Sequence, residues 1–147
     1  MIEFVPNERQ PIAIIVRSGA FKPGVEFVTP HNYSQQLGLM NHSAGTLISP
    51  HIHKHISREV TRTHEVLIIR RGRLRVDFYD NNKRYLQSRV LESGDLIHLI
   101  SGGHGFQVLE DIEMIEIKQG PYIASHDKDY IEAVSNSEIR IIEKSEI

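Results

Sequence analysis

The stretch Glu65-Val66-Leu67-Ile68-Ile69-Arg70-Arg71-Gly72-Arg73-Leu74-Arg75-Val76-Asp77-Phe78-Tyr79 decides the fold. From Leu74 on, its even positions are apolar, and its odd positions are polar as far as Asp77. Side chains of a β-strand point alternately to its two faces, so this alternation predicts a half-buried strand. Val66-Leu67-Ile68-Ile69 reads as another, and the two together as a hairpin about Gly72. Arg71, Arg73 and Arg75 then belong to the solvated face.

Working outward, the chain reads as short strands broken by turn residues. Upstream, strands are predicted over residues 12–16, 25–28, 37–41 and 46–53. Downstream they are predicted over 85–91, 96–100, 106–109 and 112–118. Asp80-Asn81-Asn82 and Glu92-Ser93-Gly94-Asp95 are turns, because Asn, Asp and Gly tolerate turn backbone. No helical period runs between residues 12 and 118. Many short strands at even spacing indicate a sandwich or a barrel. After Gly120-Pro121-Tyr122 the chain turns polar. Residues 126–137 read as loop or a short helix, and 138–143 as one more strand. With 147 residues and no repeat or linker, the whole chain, 1–147, reads as a single all-β domain.

Charge narrows the partners. Lys and Arg number 17 against 19 Asp and Glu, a net charge of −2, so no long-range field draws the chain to nucleic acid or to an anionic membrane. There are no cysteines, which excludes disulfides and thiolate ligands and fits a reducing compartment. The N-terminus has neither the basic region nor the apolar run of a signal peptide, and no apolar stretch approaches membrane-spanning length. The expected location is the cytoplasm.

The chemistry centres on His51-Ile52-His53. On a strand these two imidazoles project to the same side. With Glu65 and His104 they make three imidazoles and one carboxylate, the donor set of a catalytic-type divalent metal site with positions left open. Five residues separate Gly45 from His51, and six separate Glu65 from Gly72. This glycine-framed pattern resembles the first motif of the cupin superfamily. Gly94-Asp95 and Gly102-Gly103-His104-Gly105-Phe106 resemble the second. The likeness covers residues 37–118. It departs from the family in three places. The gap from His53 to Glu65 is enlarged to residues 54–64, Ile100 stands where a proline is usual, and His104 falls one residue early without the asparagine that often follows.

The resemblance implies a cupin double-stranded β-helix, a jelly-roll barrel spanning about 37–118, with N-terminal strands at 12–28 and a C-terminal extension at 121–147. It implies an interior pocket and a metal held by His51, His53, Glu65 and His104. Zn, Fe, Mn, Ni or Cu would suit those donors. The ligand would be a small polar molecule, carbohydrate-like or a keto or carboxylate compound, which makes an isomerase or a dioxygenase the candidate enzymes. Two alternatives stand beside this. Nucleotide-sugar ketoisomerases are cupins that use a His-x-His as acid and base without metal. Other cupins are sensing modules with no turnover. Small cupins commonly pair through early strands, so a homodimer through 12–16 and 25–28 is expected.

The remaining histidines divide by position. His64, at the end of the enlarged gap with Arg62, is a candidate proton carrier if that gap forms a lip over the barrel, and otherwise part of an exposed loop. His98 lies in a predicted strand and is a candidate pocket residue. His55 and Arg58 belong to the gap. His31, His42 and His126 read as loop residues, and Tyr122 as packing over the barrel end.

Overall fold

The computed structural model describes residues 1–121 and 128–144. The elements are β1 (Ile2–Val5), β2 (Ala13–Val16), β3 (Gly24–Phe27), β4 (Gly38–Asn41), β5 (Glu65–Tyr79), β6 (Tyr85–Glu92), β7 (Leu96–Leu99) and β8 (Gly103–Lys118). The helical content among the described residues is 3-10 alone, a turn at Asn136–Glu138 and Lys144. No helix there is long and apolar enough to cross a membrane. The chain is all-β, and its main sheet is antiparallel and strongly curled into a half-barrel.

The sheet runs β1-β2-β7-β5-β6, with β8 added along β5. β5 is the spine. Its first part pairs with β7 and its second with β6, while β8 follows it from Glu65↔Lys118 to Tyr79↔Gly103. The predicted hairpin about Gly72 is therefore corrected: the chain does not reverse there, and residues 65–79 form one continuous strand. The two strands predicted at 106–109 and 112–118 likewise merge into the single strand β8.

What Gly72 does is bend that strand. The β5–β8 ladder slips register between Ile69 and Arg71, between Arg71 and Arg73, and between Arg73 and Leu74. Such irregularities raise the local twist and kink a strand. Gly72 sits at their centre with φ +88, and a Cβ there would lie 2.1 Å from the Asp111 carbonyl oxygen. Only glycine takes this backbone at so close an approach. On the inside of the turn the β6–β7 corner is tied to β5. Gly94 N–H donates to Ile69 O at 2.8 Å, and Ile69 N–H to Asp95 O at 2.9 Å.

The ladder registers assign the faces, because directly opposed residues share one. Leu67, Ile69, Leu74, Val76 and Phe78 of β5 face the inside of the curl. They pack with Val5, Ala13, Ile15, Leu91, Ile97 and Leu99 in the main core. Burial of this apolar face drives the curl closed. A second, small core of Val16, Ala20 and Leu39 joins the β3–β4 hairpin to the sheet. A charged cluster lies inside as well. Arg17 bonds Glu3 and reaches Asp95 Oδ2 at 2.7 Å, and Arg89 reaches Glu3 at 3.2 Å. These charges are tolerated in the interior because each is paired.

Three expectations change at the edges. Residues 46–53, predicted as a strand, form no strand, and nor does anything from 42 to 64. β1 was not foreseen. Residues 138–143 make a bridge, Ser88↔Ile141, rather than a full strand. This tail lies along the edge of β6 away from β5, with Ser88 N–H donating to Arg140 O and Ile142 N–H to Ser88 O. Asp77 is buried, with Ser88 Oγ donating to it at 2.5 Å. Arg71 and Arg73 are solvated as the alternation implies. Arg75 is not, because it lies along Asp77 in a two-pronged pair at 2.8 and 2.9 Å. Tyr122 and His126 lie outside the described residues.

Candidate functional site

The bend in β5 creates the site. At a rise of ~3.3 Å per residue a straight β5 would hold its ends roughly 45 Å apart. Glu65 starts the strand, and His104 is paired to Phe78 near its end. Yet His104 Nε2 lies 3.2 Å from Glu65 Oε2. The arch has folded the two ends of one ladder onto each other. Both side chains point inward, since Glu65 opposes Leu99 and His104 opposes Phe78, and both of those residues belong to the core.

The pair opens onto a cleft of about 450 Å³ lined also by Tyr79, Lys128, Tyr130 and Ile131. The glycine run 102–103 lets the chain pass close beneath it. A Cβ on Gly103 would come within 2.2 Å of Ile131 Cδ1, and one on Gly102 within 2.5 Å of Tyr79 O. Lys118 adds charge, with Nζ 3.9 Å from Glu65 Oε1. The hydrogen bond from His104 holds the Glu65 carboxyl below its ordinary value. Burial opposes this, and the charges of His104, Lys118 and Lys128 reinforce it. Glu65 is thus an anion beside a hydrogen-bonded imidazole and two ammonium groups, an arrangement that can hold a polar ligand and pass a proton to or from it.

The four expected metal donors are not all brought together. Glu65 and His104 meet, but His51 and His53 are exposed on the strandless stretch. Their rings stand edge to face at 5.1 Å, and His51 Nδ1 lies 3.0 Å from Ser49 O. Among the described residues no three His, Asp or Glu side chains group closely enough to hold a metal ion. As placed, the donors suit a divalent metal in chemistry but not in geometry, so no chemical step is derived through one.

His64 and His98 are on the other side of the sheet. His98 pairs with Val66 and Ile14, so it faces away from Glu65, and it is fully buried. His64 precedes Glu65 and turns the opposite way, with its Nδ1 3.3 Å from His98 Nε2. Burial pushes the His98 pKa down to about 4, with the charge of a protonated His64 adding to the effect. Burial and then the nearby Arg62 charge lower His64. Neither ring touches the Glu65–His104 pair. His55 and Arg58 are exposed.

Lys118, Lys128 and Tyr130 are site residues that sequence reading missed. Lys118 ends a strand that the sequence marks, but its pairing with the Glu65 strand is visible only in the fold. Lys128 and Tyr130 lie in the polar tail, where nothing in the pattern marks them. No protein-family model, curated protein or solved structure matches the chain.

Proposed function

We propose that this chain is a small-molecule domain of cupin type, a double-stranded β-helix that takes a carbohydrate-like, keto or carboxylate compound at the Glu65–His104 pair. One observation carries the reading. Two residues that the motif resemblance assigns to one site, from separate stretches of sequence, hydrogen-bond inside a concave cleft. A pocket of this size with a few convergent polar groups suits a small polar ligand.

In its fuller form the reading gives the pair to a divalent metal, with His51 and His53 as the other ligands. That form requires the stretch carrying them to close over the cleft. The direct Glu65–His104 hydrogen bond favours a second form, in which the pair works as acid and base without metal. A binding or sensing role would use the same residues without turnover.

Elemental analysis of the protein purified without added metal, and of His51→Ala and His104→Ala, separates these forms. About one metal ion per chain, lost in both variants, supports the four-donor site. Full occupancy in both variants overturns the ligand assignment. With no metal bound, Glu65→Gln should abolish turnover on keto-sugars or diketones if the pair is an acid–base device. Unchanged turnover would exclude that role.

A further inference from the structure

A second cleft, of about 630 Å³, lies beyond the first and shares only Ser101 with it. Four loop regions build it: the β1–β2 loop, the β3–β4 loop, the stretch before β5, and the residues after β7, with Asn81 of the β5–β6 turn at its border. Its wall includes His64, only 5% exposed, with the Tyr33 ring set edge-on against it at 5.9 Å.

The charge of this cleft is one-sided. Arg9 and Arg62 both line it, against one carboxylate, Glu59. Among the described residues neither guanidinium takes part in an ion pair, although most other arginines of the chain do. Guanidinium presents several N–H donors in a planar fork that matches the oxygens of a phosphate or carboxylate. Ser34, Thr61 and Asn32 add hydroxyl and amide groups at the wall, and Tyr33 adds an aromatic ring. Those groups suit the hydroxylated body of a small ligand.

We propose that this cleft is a second ligand site, distinct from the Glu65–His104 cleft, for a small hydroxylated molecule bearing an oxyanion, with Arg9 and Arg62 holding the anionic group. A phosphoryl group and a carboxylate share the chemistry, and the test separates them. The site does not depend on the reading of the Glu65–His104 pair.

Calorimetry at fixed ionic strength with glucose 6-phosphate, gluconate and glucose decides it. One or both anions should bind and glucose should not, and the tighter anion names the oxyanion. Arg9→Gln and Arg62→Gln should each weaken that binding by about tenfold or more, as expected for a lost charge-assisted hydrogen bond. Glu59→Gln should tighten it, and His104→Ala should leave it unchanged. These surface changes leave the core intact, which circular dichroism checks. The proposal is overturned if neither anion binds at millimolar concentration, if both arginine variants bind as the parent does, or if His104→Ala removes binding. That last result would place the ligand in the first cleft.

Discussion

Lowering the pH from 7 to 5 should destabilise this protein through His98. The ring is fully buried, and among the described residues its Nδ1 has no hydrogen-bond partner. Adding a proton would place a charge in the interior beside another imidazole, which is why its pKa falls from 6.5 to about 4. The folded state therefore binds the proton less readily than the unfolded chain does. Stability from this group is complete above the unfolded pKa and is lost as pH falls toward the folded one. With those two values the loss between pH 7 and pH 5 is about 2 kcal/mol. That is a large share of the roughly 5–15 kcal/mol by which a domain is usually stable. Urea unfolding at pH 7, 6 and 5, on the parent and on His98→Gln, measures it. The variant starts from its own stability at pH 7, so the comparison is between slopes. Titrating groups other than His64, which touches His98, are common to both proteins and cancel in the difference. The parent should lose about 2 kcal/mol more than the variant. Equal losses would refute the argument and show that the ring finds a partner or water when it titrates.

Gly72→Ala should destabilise the fold by roughly 3 kcal/mol, since the residue must hold a left-handed backbone and its Cβ would strike the Asp111 carbonyl. Urea unfolding reads this, and a loss below about 1 kcal/mol would mean that the bend does not depend on glycine. A homodimer is expected through the β3–β4 hairpin rather than through β2, because β2 is enclosed between β1 and β7 while Val25, Phe27 and Met40 stand about half exposed on one face. Light scattering at micromolar concentration should give a dimer that Phe27→Asp splits, and a monomeric parent would sink the idea.

Much of the strand content was legible because period-two alternation is local. Leu74, Val76 and Phe78 announced their inward face, and the same pattern placed Arg71 and Arg73 outside. Arg75 and Asp77 broke the rule for a reason no local pattern holds. Asp77 is buried and accepts from Ser88 of the neighbouring strand, and Arg75 lies along it in a two-pronged pair. Gly72 was legible as a punctuation mark but not as a bend, because a hairpin turn and a kinked continuous strand both require glycine's freedom. The difference lies in the partner strand, where β8 pairs along both halves of β5.

The same distinction explains why only half of the expected donor set came together. Glu65 and His104 lie on strands locked in register, and once the arch bends, their meeting follows from the ladder. His51 and His53 have no such anchor. Their convergence required residues 46–53 to be a strand, and that stretch argues against itself. Leu47 and Ile48 are adjacent rather than alternating, and Pro50 cannot donate to a ladder. A strand there would need an edge to pair with. β8 offers one, being paired among the described residues to β5 alone, and Phe106, Val108, Met114, Ile115 and Ile117 leave it partly bare to solvent. The apolar residues of the loose stretch, Leu47, Ile48, Ile52, Ile56 and Val60, are bare too. Spacing can therefore predict that two histidines would share a side if extended. What extends them is a hydrogen-bonding partner, and a His-x-His spacing carries no information about which edge supplies it.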